Sequence, residues 1–89
     1  MKDVGWDNIS FIVRSKNRKI VLKLLDTPRT PTRIKQETAL HFNSVSRAIL
    51  ELEKNKFIKC LNPNQKLSRF YQITNKGKQV LKKINELSY

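Results

Sequence analysis

The chain is poor in the groups that catalysis, metal binding and secretion draw on. It holds one cysteine, Cys60, and one histidine, His41. A single thiol closes no internal disulfide, and one Cys with one His falls short of a four-ligand zinc set. Acidic residues are also scarce, at 7 Asp and Glu against 19 Lys and Arg, for a net charge of +12. No glycine-rich phosphate loop, paired catalytic carboxylates or nucleophile motif is present, so neither an enzyme nor a cofactor is expected. With only 2 Gly and 3 Pro, a long disordered segment is not expected either. No apolar run approaches the ~20 residues that span a bilayer. The opening MKDVGWDN has no apolar signal-peptide core. A cytoplasmic, nucleoid-associated protein without membrane or metal partner is the expectation.

What is abundant is positive charge. A surplus of this size calls for a polyanionic partner: DNA, RNA or anionic lipid. A thermostable surface is the bland alternative, but it raises Glu together with Lys, and Glu is scarce here. The 89 residues leave room for one domain, 1–89. A chain this size buries only ~60% of its unfolded surface, so its core is marginal and a second copy would help it.

Apolar spacing and cap residues divide the chain into short elements. Residues 7–25 form an N-terminal helical part: Ile9, Ile12 and Val13 are helically spaced behind Asp7 as cap, with Trp6 and Phe11 beside them. Ser15 is a second N-cap, which either breaks this part or bends it. The stripe beyond Ser15 is Ile20, Val21, Leu24 and Leu25, and Pro28 holds the following turn. Residues 30–55 read as helix, tight turn, helix. Thr30 before Pro31 opens the first of these helices, Ile34 points inward, and small Ala39 suits a close helix approach in the turn Ala39–Leu40–His41. The second helix, 42–55, carries Val45, Ala48, Ile49 and Leu52 at i, i+3, i+4 and i+7. Residues 57–73 form a hairpin around the turn-rich loop 62–69. Thr74 caps a final helix, 75–87, striped by Val80, Leu81, Ile84 and Leu87. The order is α-α-α-α-β-β-α, a mainly helical winged helix-turn-helix with a small β-hairpin wing.

The run VSRAILELEKNKFI resembles the V-S-R-x-L-x-x-L-x-x-x-G-L-V pattern of ArsR/MarR-like winged-helix transcription regulators. CLNP and RFYQIT-KGKQVL look like their wing and its exit into the last helix. With SKNRKIVLKLL upstream, residues 15–84 look most like small archaeal winged helix-turn-helix regulators. The resemblance implies DNA binding and transcription regulation, and leaves operator and effector open. Two positions depart from the pattern. The glycine after the second helix is Lys56 here, so Asn55 or an unusual turn is expected to end that helix. Leu50 stands where the family is usually polar, implying a contact with the N-terminal segment or a partner chain.

If the helix 42–55 enters a major groove, its first turns face the bases. Asn43, Ser44, Ser46 and Arg47 lie off the core stripe, and no acid occurs between His41 and Leu50. Arg pairs with guanine and Asn with adenine through two hydrogen bonds each. His41 at the cap can donate to a phosphate, and Thr32 and Arg33 open the helix that touches the backbone in these folds. In the loop 62–69, Lys66 and Arg69 suit backbone or minor-groove contact. Cys60 reads as a small buried hydrophobe. Sequence-specific binding of double-stranded DNA is the leading reading. The alternatives are an architectural DNA-binding protein with little sequence preference, and a winged-helix module for RNA or protein. A homodimer is expected, joined through Trp6, Ile9, Ile12, Leu50, Leu81, Ile84 and Leu87.

Overall fold

Three side-chain caps set where helices begin. The hydroxyls of Ser15, Thr30 and Thr74 accept hydrogen bonds from the N–H groups of Arg18, Arg33 and Gly77, each at 3.2 Å, and such caps contribute about 1 kcal/mol apiece. The computed structural model, which describes residues 5–87, builds α2 (Lys16–Leu24), α3 (Pro31–Glu37) and α5 (Asn75–Glu86) behind them. The ends of the expected 1–89 domain, residues 1–4 and 88–89, lie outside the described residues. Ser15 is a true break, since α1 (Trp6–Val13) stops before it. Asp7 does not cap α1. Gly5 occupies that position and Asp7 stands in the first turn, where its charge still complements the helix dipole.

The stripe of α2 is rotated from the expected one. Val21, Leu22 and Leu25 are fully buried, whereas Ile20 and Leu24 are half-buried. Arg18 shares the face of these three residues, and its Nε pairs with Glu51 Oε1 of α4 (Phe42–Lys54) at 2.9 Å. That long-range pair favours the observed rotation. Ile34 and the whole α4 stripe of Val45, Ala48, Ile49 and Leu52 are buried as expected. Ala39, by contrast, is exposed. The turn between α3 and α4 is held by Thr38, whose hydroxyl donates to Ile34 O at 2.9 Å and accepts from Leu40 N at 3.2 Å.

The end of α4 also differs from expectation. Lys56 itself takes the left-handed conformation, at φ 65°, rather than passing that role to Asn55. The N–H of Phe57 bonds to Leu52 O at 2.9 Å and that of Lys56 to Glu53 O at 3.0 Å. This is the paired closure of a helix that ordinarily uses glycine, with Leu52 and buried Phe57 in the places of its usual apolar contact.

The hairpin pairs β1 (Ile58–Cys60) with β2 (Tyr71–Ile73) in the antiparallel register Ile58–Ile73, Lys59–Gln72, Cys60–Tyr71. Tyr71 and Ile73 face the core, whereas Phe70 is exposed and Gln72 half-buried. The outer edge of β2 is not bare: Arg29 exchanges two backbone hydrogen bonds with Tyr71, and Ile73 N–H reaches Leu25 O at 2.8 Å. Helix α5 lies close to the hairpin at Gly77, where a Cβ would stand 2.4 Å from Phe57 O and 2.6 Å from Ile73 Cγ1. Only glycine fits there.

Helix α5 also packs against α1. Ile9, Ile12 and Ile84 are at most 2% exposed within one chain. These three therefore leave the expected dimer seam, because the first and last helices already cover each other. Trp6 at 65%, Leu50 at 66% and Leu87 at 39% remain exposed, and Leu81 is half-buried.

Candidate nucleic-acid interface

Helix α4 is fixed from below and open above. Its buried stripe holds the axis against α2 and α3, which leaves Asn43 and Arg47 exposed on the outer side and Ser44 and Ser46 half-buried on its flanks. The arginines differ sharply in what they touch. Arg18 pairs with Glu51, donates to Phe11 O at 2.8 Å and lies 3.9 Å above the Phe11 ring. Arg29 is bound to Glu37 Oε1 at 3.0 Å, to Thr27 Oγ1 at 2.6 Å and to Leu24 O. Arg47 has no hydrogen-bond or ion-pair partner among the described residues, and it stands in the acid-free half of α4. Its guanidinium keeps all five donors for an outside acceptor.

The head of α4 is open as well. His41 occupies the N-cap position but is exposed and makes no cap hydrogen bond, unlike Ser15, Thr30 and Thr74. Free N–H groups at such a terminus attract phosphate. A groove runs from this head to the start of α2, lined by Ser15, Asn17, Asn43, Ser44, Arg47 and Glu51 among others. Asn17 was not anticipated as part of the site, because the sequence holds no local signal for a contact between α2 and α4.

Thr32 and Arg33 are exposed at the start of α3, as expected. Arg33, however, is not a free cation, since its Nε pairs with Glu37 Oε2 one turn on. The Glu37 carboxyl is held below its ordinary value by the Arg33 hydrogen bond, against an opposing effect of burial and with help from Arg29. A phosphate reaching Arg33 must compete with that carboxylate.

The wing holds its own shape. Asn62 and Pro63 open a tight turn closed by Gln65 N–H to Asn62 O at 3.0 Å. The Asn62 side chain ties the loop base, accepting from Phe70 N at 2.7 Å and donating to Ser68 O at 3.2 Å. Arg69 folds back, with Nε 2.6 Å from Gln65 O and Nη2 3.3 Å from Pro63 O, so much of its donor capacity serves the loop. Lys66 is exposed and unpaired among the described residues. Beside this loop, burial pushes the Tyr71 phenol up, and nearby Arg69 acts the other way. Cys60 is half-buried, 3.7 Å from Asn62 Oδ1.

A second basic surface lies at the far end of α4, which no single sequence motif marked. Lys56, Lys59, Lys76 and Lys78 border a groove with Gln72 and Thr74. Lys76 is partly engaged, 2.9 Å from Asn55 O and 4.7 Å above the Phe57 ring. Among the described residues, no cluster of His, Cys, Asp and Glu could hold a metal ion. No helix among them is long and apolar enough to cross a membrane.

Two helices joined by a tight turn, the second displayed on its outer face and followed by a hairpin, define a winged helix-turn-helix. The chain belongs to the winged helix-turn-helix family, whose profile matches residues 14–89. It is similar in structure to a MarR family transcription regulator, with a TM-score of 0.71 and 16% identity over 92% of this chain and 60% of that one. RV1404 from Mycobacterium tuberculosis has a TM-score of 0.71 and 15% identity over 93% of this chain and 60% of its own. The reduced form of MarR from E. coli has a TM-score of 0.62 and 16% identity over 99% and 79%. The chain thus spans 60% of the length of the first two, and at these identities the likeness is one of fold. No curated protein matches it in sequence.

Proposed function

We propose that the chain binds double-stranded DNA in a sequence-specific manner and acts as a transcriptional regulator, with α4 in the major groove and the loop 62–69 along the backbone or minor groove. The observation that carries this reading is the outer face of α4. It is acid-free in its first half and bears an exposed arginine without a partner among the described residues, while Arg18, Arg29 and Arg33 all have one. In this reading Arg47 and Asn43 contact base edges, and Ser44 and Ser46 contact bases or phosphates. Phosphate meets His41 and the α4 head, Thr32 with Arg33, and Lys66. Arg69 acts mainly by shaping the wing. The activity is binding, not catalysis, and the compartment is the cytoplasm.

The test is in vitro selection on random duplex, followed by titration of the selected site and of random DNA. A regulator discriminates by roughly 10³–10⁷, whereas an architectural protein does not. Arg47→Ala is expected to weaken the selected complex by about 1–3 kcal/mol without changing the melting temperature. Unaltered binding overturns the placement of α4.

A homodimer is part of the proposal, on a smaller seam than the sequence implied. Of the four expected residues that one chain does not bury, Trp6, Leu81 and Leu87 are assigned to it, Leu50 being on the outer face of α4. Two-fold pairing would set two copies of α4 about 34–36 Å apart on one DNA face. Sedimentation at micromolar concentration that returns only the monomer mass excludes it.

A further inference from the structure

The outer face of α4 carries one residue that neither the core nor the polar character of that face accounts for. Val45, Ala48, Ile49 and Leu52 are buried. The line directly opposite them consists of Asn43, Arg47, Leu50 and Lys54, spaced i, i+4, i+7 and i+11 on the same helix. Leu50 is 66% exposed, more than any other apolar residue of α4, and it does not pack against the core cluster. An exposed leucine alone says little; its place in the row is what matters. At 1.5 Å per residue it lies about 10 Å along the axis from Asn43 and one turn beyond Arg47.

The acids that follow do not crowd it. Glu51 is turned aside into the Arg18 pair at 2.9 Å, and Glu53 is half-buried. The surface at Leu50 is therefore apolar, uncharged and flanked by the cations Arg47 and Lys54. Base edges in the major groove offer one apolar group that such a side chain matches, the C5-methyl of thymine.

We propose that Leu50 is a specificity-determining residue that reads a thymine methyl in the major groove, rather than a dimer contact. This rests on the docking of α4 proposed above. It adds an apolar element to a readout otherwise made of hydrogen bonds, and it sets a T preference one helical turn beyond the base that Arg47 contacts.

Replacing thymine by uracil removes only the methyl, so the test is a scan of single T→U changes through the selected site. The wild-type protein is expected to lose about fourfold in affinity at one position per half-site, the effect of one buried methyl group. Leu50→Ala keeps a strong helix former at an exposed position, so the fold should stand. This variant is expected to bind the thymine site about as weakly as the wild type binds the uracil site, with no discrimination left between the two. An unchanged T/U ratio in Leu50→Ala, or a wild-type protein indifferent to every T→U change, overturns the assignment. So does a fall in sedimentation mass confined to Leu50→Ala, which places Leu50 in a seam. Arg47→Ala separates this from failure of the underlying reading. If Arg47→Ala weakens binding and the T/U ratio survives Leu50→Ala, only the methyl contact fails. If neither variant alters binding, α4 is not on the DNA.

Discussion

Helix α4 and the wing loop present the same residue types to solvent, yet they use them differently. Beneath α4 lies a row of four buried apolar residues, so its backbone is held without help from the polar side chains above, and Asn43 and Arg47 stay free of partners among the described residues. The loop 62–69 has no such row; its residues are exposed apart from half-buried Asn62, and Leu67 reaches 82% exposure. Its shape comes from Asn62 and Arg69, which bond to the loop's own backbone. In α4 apolar packing leaves Asn43 and Arg47 available to a partner, whereas in the loop Asn62 and Arg69 are used internally. Counting cations in a sequence cannot tell these apart.

The largest test of this contrast sets the two sides of α4 against each other. Leu52→Ala, at a site with 0% exposure, should cost about 2–5 kcal/mol of stability by denaturant melting, with the loss of a core side chain and the cavity it leaves. Arg47→Ala should shift the same midpoint by less than ~0.5 kcal/mol. A comparable stability loss in both would mean that Arg47 has an internal role and the outer face is not free.

Within the wing, Arg69→Ala and Lys66→Ala should separate. Loss of Arg69 frees the carbonyls of Gln65 and Pro63, and faster hydrogen exchange in the loop is expected, with a local opening cost lower by about 1 kcal/mol. Lys66→Ala should leave exchange alone and flatten the log–log salt dependence of DNA binding by about 0.9. If exchange responds to Lys66 and not to Arg69, the wing is not self-anchored in the way described.

The junction between the two regions gives an effect of similar size and opposite sign. Lys56 sits at φ 65°, where an L side chain costs roughly 1–2 kcal/mol. Lys56→Gly should raise stability by about 1 kcal/mol, after allowing for the greater freedom of glycine in the unfolded chain. A loss of stability would show that the Lys56 side chain contributes more than its backbone costs.

The smallest effect concerns the arginines of α3. Because the Glu37 carboxyl is lowered from 4.5 by Arg33 and Arg29, the unfolded chain holds this proton more tightly than the folded one. Stability from this group is present above pH 4.5 and is lost as the pH falls through the lower folded value. Glu37→Gln should flatten the acid side of the stability profile. In titrations it should also leave Arg33 freer for phosphate, so that binding strengthens slightly.

Periodicity and capping are local, and for that reason they were legible. The α4 stripe and the caps at Ser15, Thr30 and Thr74 each depend on residues a few positions apart. They determined the element order and the outward placement of Asn43 and Arg47. Pairing across the fold was not legible. Neither the bridge from Arg29 to Tyr71, the rotation of α2 that puts Leu22 inside, nor the packing of α1 on α5 has a local signal.

Composition and short-range pattern determined that this chain is a basic winged helix-turn-helix with one displayed helix, because hydrophobic spacing, hydroxyl caps and charge balance are properties of neighbours in the chain. Only the tertiary structure decided which cations are free. Arg18 and Arg29 bond to acids brought to them by folding and Arg69 to a carbonyl of the closed loop, whereas the Arg33–Glu37 pair joins i, i+4 neighbours of one helix, and Arg47 meets no partner among the described residues. The reason is geometric. A guanidinium is satisfied within about 3 Å of an oxygen, and only the folded chain sets those distances.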